Sequence, residues 1–324
     1  MAEQLGRVVT QTVGIEFNPD SFAVAATNAI DVDTGSGSGG ADFEQRIDKL
    51  EKAVLWDPRR KNAQAWYDAW NYRDFNLSGE YISMILDRGL YGNHLEKNSV
   101  KAKAKLEVKD KIEFPVDNLS YFMRKGEAGK PHPIVTEHGD HLTAFVVENS
   151  DNNFEKIIFS IFTTKGRFHP KISIQGNFLK YSIEGLMTSA DGEFSQRFDN
   201  EIQAELPEGK NIVVCLLLND VMSIYINGVE IDNKTDHLFS YGDPHESLDQ
   251  LTVGQGQFNM SELVHLQQHT CVGDRLTLEG YLAWKWALQD KLGKNHTYKG
   301  AAPVQYISAM DFTCPRPEDP IWIY

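Results

Sequence analysis

The chain has 324 residues, of which 41% are apolar and 24% charged, and its formal net charge is −14. That apolar share suffices for a sizeable core in a soluble protein. The negative balance works against nonspecific nucleic-acid binding, which needs lysine and arginine to neutralise phosphates, and no run approaches the roughly 20 apolar residues that span a bilayer.

Residues 1–40 read as an extended N-terminal arm ending in the flexible linker Thr34-Gly35-Ser36-Gly37-Ser38-Gly39-Gly40. The opening Met1-Ala2-Glu3-Gln4-Leu5-Gly6-Arg7 lacks the charged and apolar regions of a signal peptide, which points to synthesis in the cytosol. Phe43, Ile47, Leu50 and Val54 then recur at intervals of four, three and four, the seam of a short coiled-coil-like helix over residues 41–57. So short a helix is marginal alone and needs a partner for its stripe, either copies of itself, as dimer or trimer, or the adjacent domain. Trp56-Asp57-Pro58 ends it, because proline disfavours helical geometry in the residue before it.

From Val100 to Val108 the apolar residues Val100, Ala102, Ala104, Leu106 and Val108 alternate with Lys101, Lys103, Lys105, Glu107 and Lys109, predicting a half-buried strand with a solvated lysine face. Further strands are predicted over 143–148, 156–163, 171–174, 179–183, 251–253 and 261–266. Asn211–Asn219 reads as a central strand buried on both faces. In VMSIYINGVEI, Asn227-Gly228 supplies the two positive-φ positions of a type I′ hairpin turn. The reading pairs Ile226 with Val229 and Ile224 with Ile231 on one apolar face. Many short strands separated by turn residues predict an antiparallel sandwich rather than a parallel sheet.

A helix is predicted near the C-terminus with Asp274 as its N-cap. Leu278, Tyr281, Leu282, Trp284, Trp286 and Leu288 face the core, and Glu279, Ala283, Ala287 and Asp290 lie opposite. The aromatics read as core packing and not as a sugar platform. Residues 304–324 read as an extended tail.

The chemistry-bearing clusters are sparse. Glu230-Ile231-Asp232-Asn233-Lys234-Thr235-Asp236 approaches the paired-carboxylate motif of glycosidases but lacks the final glutamate. His132 and Glu137-His138-Gly139-Asp140-His141 mix imidazole and carboxylate at a spacing that fits no metal motif, and read as a polar turn. His265 and His269 lack the glutamate of H-E-x-x-H and read as surface residues. Gly254-Gln255-Gly256 lacks the spacing of a phosphate loop. Three cysteines are too few for a disulfide framework, and Cys215 sits in an apolar run as a small hydrophobe. No residue is assigned to catalysis or to a cofactor.

Two stretches carry a resemblance. LEGYLAWKWALQDKLGKNHTYKGAAP, Leu278 to Pro303, resembles the closing helix and turn of concanavalin-like (laminin-G-like) jelly-roll domains of bacteriophage structural proteins. AWYDAWNYRDFNLSGEYISMILDRGLYGNHL, Ala65 to Leu95, resembles the opening of the same domain; its Asp87, Gly89 and Asn93-His94 match the family's loop, whereas the family tryptophan is absent. The resemblance implies an all-β, concanavalin-like antiparallel jelly-roll sandwich over residues 61–303. It also implies a non-enzymatic virion surface protein, a capsid decoration or head fibre. The N-terminal arm would engage the major capsid protein or another virion protein, and the sandwich would display weak glycan adhesion. The alternative is a tail-fibre receptor-binding or glycan-depolymerising module. Relatives hold Ca²⁺ in loops at a sheet edge, for which Asp191, Asp199, Asn200 and Asp243 carry suitable oxygens.

Overall fold

The computed structural model describes residues 53–61, 63–89, 91–115, 121–125, 140–149, 154–162, 169–188, 195–235, 250–267 and 271–306. They fall into two units. In the smaller one, β1 (Ala53–Leu55) pairs antiparallel with a strand at Val304–Tyr306, and the Trp56 N–H donates to the Pro303 carbonyl at 3.0 Å. Val54 is therefore not helical: its backbone belongs to a ladder, paired with Gln305, and the helix predicted over 41–57 does not reach it. The cause is a partner strand far along the same chain, which a local heptad spacing cannot reveal. Phe43, Ile47 and Leu50 lie outside the described residues.

The larger unit is an antiparallel β-sandwich with a C-terminal helix, as the sequence implied. In chain order its strands are β2 (Ala65–Asp68), β3 (Phe75–Ser78), β4 (Tyr81–Ile85), β5 (Leu95–Lys97), β6 (Lys105–Glu107), β7 (Lys111–Glu113), β8 (Phe122–Lys125), β9 (His141–Asn149), β10 (Lys156–Phe162), β11 (His169–Gln175), β12 (Phe178–Thr188), β13 (Ser195–Glu205), β14 (Lys210–Leu218), β15 (Val221–Ile226), β16 (Val229–Thr235), β17 (Gln250–Gln255) and β18 (Phe258–Gln267). One sheet runs β13-β12-β11-β10-β17-β8-β5-β4-β3, the other β16-β15-β14-β9-β18-β7-β6, with β2 also paired to β18. The helix α1 (Val272–Lys285) packs on β9 and β14.

β14 shows why both of its faces are apolar. Its pairings put Cys215 opposite Thr143 and Ile224, towards the other sheet, while the alternate residues Ile212, Val214 and Leu216 face the helix side; all are buried. A sheet covered on one side by a sheet and on the other by a helix leaves no polar face.

Several details depart from the sequence reading. Only Lys105–Glu107 of the 100–108 stretch is strand; Ala102 and Ala104 are buried, but Val100 and Val108 lie in turns and are exposed. The Asn227-Gly228 turn forms with φ of 52° and 77°, and Ile226 pairs Val229. A bulge between Ile224 and Tyr225 then shifts the register so that Ile224 faces Asp232, leaving Ile231 exposed on the edge strand β16. Asp199 and Asn200 sit within β13, paired to β12, and not in a loop; Asp191 and Asp243 lie outside the described residues. The helix starts earlier than predicted, with Cys271 at the N-cap. Asp274 instead occupies the third helical position, its carboxylate accepting from the Cys271 N–H at 3.1 Å.

Between the sheets lies a buried polar cluster. His141 Nε2 meets the Tyr181 hydroxyl at 2.7 Å, Thr143 Oγ1 meets His265 Nδ1 at 2.8 Å, and the His265 ring stacks on Phe159 at 4.8 Å. His265 is thus core, not surface, because β18 turns it inward beside Thr143. Burial, reinforced by the nearby His141, holds the His265 imidazole well below its usual value. A group whose folded pKa is depressed favours the folded state above its unfolded value, near 6.5, and loses that contribution as pH falls below it. The unfolding free energy from urea titration should therefore drop between pH 7 and pH 5, by about 1.4 kcal/mol per pH unit for each proton taken up on unfolding. His265→Leu should flatten that slope, and an unchanged slope would assign the acid sensitivity elsewhere.

Candidate functional site

The two stretches that carry the family resemblance turn out to be closing hardware. After β4, the buried Asp87 carboxylate accepts three backbone N–H groups: Trp66 at 2.8 Å, Gly89 at 2.8 Å and Asn93 at 2.7 Å. Burial raises its pKa although those three donors pull the other way. The Asp87 N–H donates to His94 Nδ1 at 3.0 Å, and Asn93 donates to the Gln64 carbonyl and accepts from Arg124. At Gly89 a Cβ would come within 2.5 Å of the Ala63 carbonyl oxygen, so a side chain does not fit. The Asp, Gly and Asn-His positions of the loop therefore tie β2 to the following strands.

The turn after α1 behaves in the same way. The Tyr298 N–H donates to His296 Nδ1 at 3.2 Å, which leaves Nε2 to donate to Glu279 at 3.0 Å, and Arg275 donates to the same Glu279 oxygen at 2.6 Å. Glu279, placed outward by helical spacing, is fully buried for this reason. Trp284, assigned to the core arc, is only half-buried and donates its indole N–H to the Tyr298 carbonyl at 2.8 Å.

Beneath the same helix lies a network of buried titratable groups. Lys285 Nζ, fully buried, reaches Asp68 at 2.7 Å, Glu262 at 2.8 Å and the Tyr281 hydroxyl at 2.8 Å. Glu262 also accepts from the indole N–H of Trp66 at 2.6 Å, the Tyr281 hydroxyl at 2.9 Å and the indole N–H of Trp286 at 2.7 Å. Arg88 pairs with Asp68 and lies over the Trp66 ring, 4.4 Å from its centroid. Burial pushes the Glu262 carboxyl up, against the pull of Lys285. Desolvation raises the Tyr281 hydroxyl well above its ordinary value, helped by Glu262 and Asp68. With so many donors on two enclosed carboxylates, the network positions its neighbours and is closed to a substrate.

At its margin the chain does present chemistry outward. Trp70 follows β2 and is half-buried; its N–H donates to Asp68 at 2.9 Å, and its ring packs edge-to-face with buried Trp286 at 5.6 Å. Exposed Lys109, in the β6–β7 turn, puts its ammonium 5.7 Å from the centre of the Trp70 ring. Next to it, Asp110 pairs with Lys210 at 2.6 Å, and that pair holds the Asp110 carboxyl below its usual value. Lys210 in turn stands 5.5 Å from the Trp286 ring. Trp70, Trp286, Lys109, Asp110 and Lys210 thus form one continuous patch beside the end of α1.

The clusters singled out in the sequence do not form a site. Glu230 accepts from Tyr225 at 3.0 Å and Asn233 at 2.6 Å on the edge strand β16, and the Asp232 carboxylate accepts from the Gln203 N–H at 3.2 Å. Asp140 is half-buried, His141 is in the core, and His132, Glu137, His138 and His269 lie outside the described residues. Among the described residues no group of three or more His, Cys, Asp or Glu side chains is arranged to hold a metal ion. The fold is an antiparallel β-sandwich. No family model matches the chain, and no curated protein matches it. Solved structures similar to it include the binding domain of botulinum neurotoxin DC in complex with rat synaptotagmin II, at 10% identity and TM-score 0.48. The same domain with SialylT is 10% identical at TM-score 0.47, and a structure of botulinum neurotoxin type C, whose cell entry depends on interaction with two ganglioside molecules, is 10% identical at TM-score 0.48. Each alignment covers 69% of this chain and 52% of the other, so the chain spans about half the length of those it matches.

Proposed function

We propose that this chain is a non-enzymatic glycan-binding sandwich whose contact surface is the Trp70 patch. The observation that carries the reading is the placement of Trp70. Its half-buried indole packs edge-to-face on the buried Trp286, and its backbone N–H is held by the Asp68 carboxylate. A rigid aromatic ring with one wet margin offers apolar area to the C–H faces of a pyranose while adjacent charged groups reach its hydroxyls. Pre-organisation matters because the ring loses little freedom on binding. The non-enzymatic part rests on where the carboxylates go: Asp68 and Glu262 are enclosed around Lys285, and Glu230 is engaged along a sheet edge.

The resemblance of the closing helix supports a wider setting for this binding, display on the surface of a phage particle in many copies. Multiplicity would convert weak single-site contacts into avidity. The test is direct. On a glycan array and by titration with the bound sugar, Trp70→Ala should weaken binding about tenfold or more, with the thermal midpoint of the protein recorded alongside. Phe178→Ser, an exposed aromatic at the start of β12, should bind as the parent does. Retention of binding by a folded Trp70→Ala protein would remove this patch from the reading.

A further inference from the structure

Lys109 is held where a lysine is not the easy choice. Its φ of 65° lies in the left-handed region, which favours glycine or asparagine, and its N–H is fixed on the Ala69 carbonyl at 3.0 Å, one residue before Trp70. A side chain kept at a backbone position that costs energy is a pointer to use. The neighbouring acids do not neutralise it: Asp110 is taken by Lys210, and Glu107 lies by Lys111 at 3.6 Å. Among the described residues Lys109 makes no ion pair, on a chain whose net charge is −14. Its ammonium instead stands over the indole that the proposed sugar would stack against.

We propose that the patch selects carboxylated sugars, with Lys109 donating a charge-assisted hydrogen bond to the carboxylate while the pyranose ring lies on Trp70. This rests on the glycan-binding reading of the same patch. A cation beside an aromatic surface interacts with an anion in a partly water-excluded setting, where the pairing is stronger than in open solvent. A lone ammonium is a point donor, suited to one carboxylate on a ring and not to the extended polyanion of a nucleic acid. Sialic and uronic acids share this chemistry.

The experiment is calorimetric titration at low and physiological salt of the whole chain and its variants. The probes are 3′-sialyllactose against lactose, and trigalacturonic acid against its methyl ester. The expected result is an acidic member bound about tenfold more tightly than its neutral partner, a margin of one charge-assisted hydrogen bond, shrinking as salt rises; which pair shows it identifies the sugar. Lys109→Gln should lose the margin, the acidic member falling to the affinity that its neutral partner has for the same variant. Lys109→Gly, which suits the positive φ, must lose it too while folding at least as well as the parent. Equal binding of acidic and neutral members, or a margin that survives both variants, overturns the selection. In those cases loss of all sugar binding in Trp70→Ala would leave the glycan reading standing, whereas no binding of any probe by the parent chain rejects both.

Discussion

Lys285→Met should lower the unfolding free energy by about 3–5 kcal/mol, because removing one partner of a buried ion pair strands the other charge without solvent. Here two carboxylates lose a partner. Asp68 and Glu262 are both fully enclosed, and Lys285 lies within 2.8 Å of each. Arg88 would still hold Asp68 from the other side, so the larger loss falls on Glu262, whose remaining partners are neutral indole and phenol donors. Its carboxyl is already pushed up by burial, and without the lysine it would take a proton on folding. The destabilisation should then lessen as pH falls, opposite in sign to the His265 effect. Guanidinium unfolding at pH 7 and pH 5 separates the two, and Lys285→Met combined with Glu262→Gln should recover part of the loss. A single variant as stable as the parent would mean that the network contributes specificity without stability.

That network shows where sequence reading reaches and where it stops. The buried strand at 211–219 and the Asn227-Gly228 turn were legible because local pattern and turn chemistry determine them. β13 carried the same kind of signal: Asn200, Ile202 and Ala204 are buried while Glu201, Gln203 and Glu205 are exposed, an alternation masked by its polar composition. Glu279 and Lys285 were not legible. Helical spacing assigns charged residues to solvent, and their partners lie far along the chain, Asp68 being 217 residues from Lys285. The β15–β16 register failed for a related reason, since one bulge reverses the facing of every later residue. The candidate site was the least legible part. Trp70 sits in a stretch that reads as a family signature, and its meaning comes from Trp286, Lys109 and Lys210, which three separate elements bring to it.

Gly254→Ala should cost about 3 kcal/mol or more, through two independent penalties. The residue has φ of 77°, a conformation that costs a side-chain-bearing residue about 1–2 kcal/mol. A Cβ would also lie 1.9 Å from Cε1 of Phe114, and this ring cannot step aside. Phe114 is buried, stacked on Phe258 at 4.7 Å and edge-on to Phe122 at 6.1 Å, with its N–H held by the Phe258 carbonyl at 3.0 Å. Forcing one methyl into a packed core costs about 1–3 kcal/mol, towards the upper end where the neighbours are rigid aromatics. Phe114→Leu in the same background tests the mechanism: it opens the space and should restore part of the loss, leaving the penalty of the positive φ. If the double variant is no more stable than Gly254→Ala, the cost is backbone alone. Gly254, with φ of 77°, lies near the end of β17 against the aromatic stack, and Gly256, with φ of 89°, stands where the chain turns back into β18. That return strand carries Glu262 and His265.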